Sequence, residues 1–200
     1  MITAIGFDYE GVIEGLPSSF FGAAICKLLD VTQDQYVTAY RRHNKKLNLG
    51  EITDRELWEL VLAELGRPEK LDEVMQTSRE YRSKGINHDV LDYIDSLKRA
   101  GYKTGLFSNN TVERAKEMRA SGLDKYFSVL LVSAEAGVRK PDADAFEYFA
   151  DKLGVKPAEL AFVDDTEGSL VELPSIGATP LLYTTLDDLK RQLSALGVRV

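Results

Sequence analysis

The hydrophobic positions of this chain fall into five short, strand-like runs, separated by stretches in which apolar residues recur every three or four positions. Short runs of this kind are typical of buried strands, and the wider spacing is typical of amphipathic helices. The predicted strands cover residues 3–7, 103–107, 128–132, 160–163 and 179–182. After Gly101 the strands alternate with helical patterns, which predicts a parallel sheet with helices on both faces.

The long stretch between the first two strands carries only helical patterns. Predicted helices run from Ser18 or Ser19 to about Leu29, over about 33–46, from a capping box of Thr53 and Glu56, over about 70–84, and from Asn87 to Gly101. We therefore expect an α/β fold with a Rossmann-like parallel sheet. Residues 1–14 and 86–200 would form the core domain, and residues 15–85 an inserted all-helical cap.

Composition and charge exclude several classes of function. The 200 residues include 25 Lys and Arg against 32 Asp and Glu, a net charge of −7 that argues against nucleic-acid or anionic membrane partners. Cys26 is the only cysteine, which excludes an internal disulfide and a cysteine-built metal site. No apolar run is long enough to span a bilayer, and residues 1–8 lack a signal-peptide pattern, so we expect a cytoplasmic protein.

Polar side chains follow four of the predicted strands. In chain order they are Asp8, Glu10, Ser108, Asn109, Lys140, Asp164 and Asp165. Because ligands of open parallel sheets bind outside the carboxyl ends of the strands, we expect these side chains to face one crevice. A carboxylate can attack phosphorus, Mg²⁺ prefers oxygen ligands, and hydroxyl and ammonium groups can hold phosphate oxygens. The set therefore predicts phosphoryl-transfer chemistry.

These residues follow the strand ends in the order of the four short motifs of the haloacid dehalogenase-like (HAD) superfamily, which they resemble. The resemblance is to the branch of phosphatases with a helical cap. The resemblance covers essentially the whole chain. It implies Mg²⁺-dependent hydrolysis of a small phosphorylated metabolite through an aspartyl phosphate. By this resemblance Asp8 is the nucleophile, Ser108 and Asn109 contact the phosphate or substrate, and Lys140 offsets the developing charge.

The resemblance also implies a Mg²⁺ site. Asp165 is the expected direct ligand, together with Asp8, Asp164 and the main-chain carbonyl of Glu10. The Glu10 side chain stands where phosphatases of the family carry an aspartate that acts as general acid and base. Since its extra methylene shifts the carboxyl group, we expect a weakened phosphatase rather than an inactive one.

Ser169 and Pro174, which follow Asp165 in the chain, also depart from what the family pattern leads us to expect. Ser169 stands where many relatives carry Asp or Asn, so the metal would depend more on Asp8, Asp165 and water. Pro174 should shorten or kink the helix expected in this region.

Two alternative functions stay open. A haloacid dehalogenase would also use an aspartate nucleophile but no metal, and the Asp164–Asp165 pair argues against it. A catalytically weak or silent member could instead act as a phosphometabolite-binding or regulatory protein, keeping the phosphate and metal residues.

One basic run, Arg41 to Lys46, lies in the predicted cap. Such runs are more often solvated helix faces than surfaces that steer an anionic substrate. The sequence does not fix the oligomeric state, and we expect a monomer or a homodimer.

Overall fold

The computed structural model describes residues 1–15, 18–82 and 85–200, apart from the side chains of residues 18, 19 and 82. Its strands are β1 (Ala4–Phe7), β2 (Lys103–Ser108), β3 (Val129–Val132), β4 (Leu160–Asp164) and β5 (Thr179–Leu182). They form one sheet in the order β3-β2-β1-β4-β5, and every neighbouring pair is parallel. The predicted α/β fold is confirmed.

Helices occupy the stretch between the first two strands and alternate with the strands after Gly101, as predicted. They are α1 (Ser18–Leu29), α2 (Gln33–Asn48), α3 (Asp54–Glu64), α4 (Leu71–Arg82), α5 (His88–Arg99), α6 (Val112–Ala120), α7 (Ser133–Ala136), α8 (Ala143–Leu153), α9 (Glu167–Leu170) and α10 (Leu186–Ala195). The capping box of Thr53 is present, and Asn87 caps α5, as predicted. The capping role predicted for Ser18 and Ser19 depends on side chains that are not among those described, and the end of the helix predicted over 70–84 lies outside the described residues.

Helices cover both faces of the sheet. Ile5 and Phe7 of β1 pack into a cluster with α5, α6 and α10, while the opposite face packs against α8. Gly6 makes room for that second layer, because a Cβ atom there would lie 2.4 Å from the ring of Phe162 and 2.6 Å from that of Phe149. An aromatic layer therefore lies directly on the centre of the sheet.

The segment after β4 is broken in the way that Pro174 predicts. Helix α9 ends at Leu170 after four residues, and Pro174 lies in a short 3₁₀ turn, Leu173–Ile176. The chain that follows Asp165 therefore forms a four-residue helix and a 3₁₀ turn instead of one longer helix.

Helices α1 to α4 have a hydrophobic cluster of their own, in which the rings of Tyr36 and Trp58 stack with centroids 6.4 Å apart. The chain enters this helical cluster after Gly15 and leaves it before Gly85. These two residues lie side by side, since Gly15 N–H donates to the carbonyl of Gly85 at 3.0 Å. We propose on this basis the division into a core domain (1–14 and 86–200) and a cap (15–85). Among the described ranges, no helix has both the length and the apolarity that a membrane crossing requires.

Candidate active site

The carboxyl ends of β1 and β4 meet around a buried lysine. The Nζ atom of Lys140 lies 2.9 Å from Oδ1 of Asp8 and 2.5 Å from Oδ2 of Asp164. The side chain of Lys140 is 1% exposed and that of Asp164 is fully buried. Burial lowers the pKa of Lys140, but the charges of Asp164 and Asp8 outweigh it and hold the pKa above 10.5. The lysine therefore stays a cation between two carboxylates.

The Lys140 ammonium is positioned from two sides. The Asn109 amide donates to the carbonyl of Lys140 at 2.8 Å and accepts from its N–H at 2.9 Å. The ammonium also lies 5.1 Å from the ring centre of Phe162 and 5.9 Å from that of Phe107, within the range of cation–π attraction. Asn109, predicted to contact the substrate, thus holds the Lys140 backbone, and its contact with substrate stays a prediction.

A third carboxylate completes an acidic cluster. One oxygen each from Asp8, Asp164 and Asp165 lie within 4.8 Å of one another. Burial and then the charge of Asp164 raise the pKa of Asp8 well above 3.8, although Lys140 opposes the shift. Because a divalent cation would relieve this repulsion and Mg²⁺ prefers carboxylate oxygens, the residues present fit the metal that the resemblance implies.

Gly11 allows the Asp165 carboxylate to approach the loop after β1. Its φ is +81°, which favours glycine, and a Cβ atom there would lie 2.5 Å from Cγ of Asp165. A side chain at position 11 would therefore displace the carboxylate from the cluster.

Glu10 and Ser108 are linked by a residue whose role the sequence analysis missed. The Asn110 amide donates to Oε1 of Glu10 at 3.3 Å and to Oγ of Ser108 at 3.4 Å. Its position two residues after Ser108, at the end of β2, is the only sequence feature that points to the site. Asn110 holds the Glu10 carboxylate on the same side of the site as the buried Ser108 hydroxyl.

The loop that carries Asp8 and Glu10 is held by a partly buried ion pair. The Tyr9 hydroxyl donates to Oε1 of Glu14 at 2.9 Å, and Arg114 from α6 pairs with the other carboxylate oxygen of Glu14. The Arg114 guanidinium also lies 5.6 Å from the ring centre of Tyr9. These contacts fix the residue between the predicted nucleophile and the predicted acid–base group.

A cavity of about 470 Å³ lies between the carboxyl ends of the strands and the helical cluster. From the sheet side it is lined by Glu10, Asn109, Asn110, Asp165 and Thr166. Its far wall carries the aromatic side chains Phe21, Tyr36, Tyr40, Trp58 and Tyr81. The site can therefore hold a small molecule between the acidic cluster and the proposed cap.

A family model for haloacid dehalogenase-like hydrolases matches residues 2–168. This chain belongs to that family. The match includes the five strand-end positions Asp8, Ser108, Lys140, Asp164 and Asp165, so the HAD-like assignment and the acidic cluster concern the same part of the fold.

Curated relatives differ in what they do. The chain is 27% identical over 115 residues to bifunctional epoxide hydrolase 2 of Sus scrofa (55% of this chain, 21% of the relative). It is 30% identical over 91 residues to (S)-2-haloacid dehalogenase 4A of Burkholderia cepacia (45% and 39%). It is 29% identical over 118 residues to phosphoserine phosphatase of Thermus thermophilus (58% and 47%). The matches thus span about a fifth to a half of these relatives.

Solved structures agree on the fold. A HAD-like hydrolase from Porphyromonas gingivalis aligns over 100% of both chains with a TM-score of 0.67 and 21% identity. A HAD family enzyme from Bacteroides thetaiotaomicron, solved with magnesium and inorganic phosphate, aligns over 96% of this chain and 99% of its own, with a TM-score of 0.61 and 19% identity. At identities of 21% and 19%, the similarity to these structures is evidence for the fold alone.

Proposed function

We propose that this HAD-like hydrolase is a Mg²⁺-dependent phosphatase that hydrolyses a small phosphomonoester through an aspartyl phosphate on Asp8. The observation that carries the proposal is the acidic cluster of Asp8, Asp164 and Asp165 packed against the buried Lys140. A cluster of oxygen donors suits a metal–phosphate complex, whereas the displacement of a halide needs no metal. Phosphatases are also among the curated relatives.

Asp8 is oriented for attack. Its Oδ1 accepts hydrogen bonds from Tyr9 N–H at 2.7 Å and from the Lys140 ammonium at 2.9 Å. This leaves Oδ2 to attack phosphorus as the bond to the leaving alcohol breaks. Lys140 stays charged and offsets the negative charge that gathers on the phosphoryl oxygens, and the Ser108 hydroxyl can donate to one of them.

Glu10 would move the protons. In the first step it gives a proton to the leaving alcohol oxygen. In the second step it takes a proton from water, the water oxygen attacks phosphorus, and the Asp8 carboxylate is released with inorganic phosphate. The Asn110 amide, 3.3 Å from Oε1, would steady the carboxyl group, while the extra methylene of glutamate offsets it from the position that an aspartate would take.

Asp165, the expected direct ligand, would hold Mg²⁺ together with Asp8, Asp164 and the main-chain carbonyl of Glu10, and Asp164 also pairs with Lys140. When bound, the metal neutralises phosphate charge and orients the ester. Ser169 lies in α9 next to this site, and its hydroxyl adds no charge to the ligand set.

The proposal is tested by hydrolysis of p-nitrophenyl phosphate with Mg²⁺ and with excess EDTA, beside release of chloride from 2-chloropropionate. We expect phosphate release only with Mg²⁺ and no chloride release in either condition. Chloride release that persists in EDTA would support the dehalogenase alternative, which the curated dehalogenase relatives also favour. Phosphate release unaffected by EDTA would contradict the metal site.

A Glu10→Asp variant tests whether the acid–base geometry limits the rate. Because a positioned acid–base group contributes about 10²–10⁴-fold, restoring the shorter side chain should raise kcat for p-nitrophenyl phosphate by about tenfold or more. Glu113→Asp, on the first turn of α6 and outside the cavity, is the matched control and should leave kcat unchanged. If neither the natural chain nor Glu10→Asp turns over while calorimetry still detects phosphate with Mg²⁺, the silent binding protein becomes the better account.

A further inference from the structure

Helix α2 turns one cation of the basic run towards the active-site cavity. Val37, Arg41, Asn44 and Asn48 recur every three or four residues, so they share one face of the helix, and all four line the cavity. Within residues 1–15, 18–82 and 85–200, the Arg41 guanidinium has no hydrogen bond or ion pair.

The neighbouring basic residues behave differently. Arg42 pairs with Oε1 of Glu64 at 2.7 Å, and Nε2 of His43 lies 3.3 Å from the other oxygen of that carboxylate. Arg42 and His43 thus fit the solvated helix face that the sequence favours for the run. Arg41 differs from both, because it lies on the cavity side.

The Arg41 side chain reaches across the cavity to the core domain. A Cβ atom built on Gly168 would lie 3.6 Å from a terminal nitrogen of the guanidinium. Gly168 is three residues after Asp165, in the short helix α9. The carboxylates of the cavity are Glu10 and Asp165, at the cluster end, and Asp54, which has an interaction partner of its own. The Arg41 guanidinium thus lies near the chain that follows Asp165. In the described part of the structure, it has no ion pair such as the one that Arg42 forms with Glu64.

Three neutral polar groups on the same cap wall also lack partners. Asn48 and Ser78 are 7% and 6% exposed, and the Tyr81 hydroxyl is buried; within the part of the chain described here, none of these side chains forms a hydrogen bond. Burial and then the charges of Asp165 and Glu10 raise the pKa of Tyr81, so its hydroxyl keeps its proton. Of the three, the Tyr81 hydroxyl is the buried one, and an unpartnered buried hydroxyl is costly. A ligand in the cavity would satisfy it and would also reach Asn48 and Ser78, which line the same cavity.

We propose that this wall binds the leaving group of the substrate, and that the leaving group is a hydroxylated small molecule with a second anionic group, a carboxylate or another phosphate, which Arg41 binds. Asn48, Ser78 and Tyr81 would hydrogen-bond to its hydroxyl groups, because amide and hydroxyl side chains both donate and accept. The aromatic rings would pack on its carbon chain. The cavity, at about 470 Å³, has the size of a small-molecule site. The inference rests on the proposed phosphatase function.

The test is calorimetric binding with Mg²⁺ present, in an Asp8→Asn background that leaves the ester intact. The ligands are 6-phosphogluconate and sorbitol 6-phosphate, which differ only in a carboxylate against a hydroxymethyl group at C1. A bidentate arginine–carboxylate pair is worth about a ten- to hundredfold change in Kd. We expect the acid to bind at least about tenfold more tightly, and Arg41→Gln to remove that advantage while changing the Kd of the polyol less than about twofold.

Arg42→Gln is the matched control, since it removes the neighbouring cation on the ion-paired face and should change neither Kd. Fructose 1,6-bisphosphate against fructose 6-phosphate repeats the comparison for a second phosphate and shows which anion the subsite prefers. Arg41→Lys should keep part of the advantage, and thermal melting of each variant shows that it is folded.

Three results would overturn the inference. In both pairs the ligand with the second anion could bind no more tightly than its partner, neither pair could bind, or Arg41→Gln could weaken both members of a pair alike, which would put Arg41 on the reacting phosphate. Because calorimetry needs no turnover, these results are separate from failure of the phosphatase proposal, which would appear as absent Mg²⁺-dependent hydrolysis by the natural chain.

Discussion

Replacing Lys140 with methionine should destabilise the protein and nearly abolish phosphatase activity. Methionine matches the lysine side chain in length but removes the charge between Asp8 and Asp164. Removing one partner of a buried ion pair costs about 3–5 kcal/mol, because the carboxylates that remain are buried without compensation. Loss of a group that stabilises transition-state charge lowers kcat by about 10²–10³-fold. Urea unfolding in EDTA and p-nitrophenyl phosphate turnover with Mg²⁺ measure the two effects.

A double variant separates the two effects. Lys140→Met with Asp164→Asn removes one of the two uncompensated charges, so it should recover a large part of the unfolding free energy and none of the activity. Lys152→Met, at an exposed site in α8 where the ammonium lies over the ring of Tyr148, is the matched control and should change neither quantity appreciably. A single variant as stable as the natural chain would contradict the buried ion-pair network.

The stability loss of Lys140→Met should shrink as the pH falls. Burial and Asp164 already raise the pKa of Asp8 above 3.8 in the folded protein, and Lys140 opposes that shift. Without the lysine, the folded state binds a proton at Asp8 more readily than the unfolded chain does. Stability therefore rises as the pH falls through the raised folded-state pKa towards the unfolded value. The same urea titration at several pH values measures this dependence.

The sheet could be predicted from the sequence because its signal is local and redundant. The strands are short apolar runs, and those that carry the site end at polar residues, as β1 does at Asp8 and β4 at Asp164; a fully buried parallel strand needs such a run. Pro180 lies in β5, the edge strand beside β4, and an edge position tolerates proline. The parallel order then brings the strand ends to one edge of the sheet.

The finer structure of the site could not be predicted, because it depends on contacts between residues far apart in the sequence. Asn109 forms its two hydrogen bonds with a backbone 31 residues away. Arg114 pairs with Glu14 across 100 residues, and no pattern in the sequence links them. The face of α2 that lines the cavity could be predicted in part. The sequence shows which residues share one face of the helix, but only the position of α2 beside the site shows that Arg41 lines the cavity and Arg42 does not.

The central claim, that Asp8 forms the phosphoenzyme, is tested most directly by trapping it. The natural chain is mixed with Mg²⁺ and p-nitrophenyl phosphate, quenched within the first turnovers, and treated with borohydride, which reduces an acyl phosphate on aspartate to homoserine. Peptide mass spectrometry then locates the modified residue. Asp8→Asn, treated in parallel, is the control.

We expect homoserine at position 8 in the natural chain and nowhere else, dependent on both Mg²⁺ and the ester. Asp8→Asn should give neither the reduced peptide nor turnover. Turnover that survives in Asp8→Asn, or reduction at another carboxylate such as Asp165 in place of Asp8, would contradict the account.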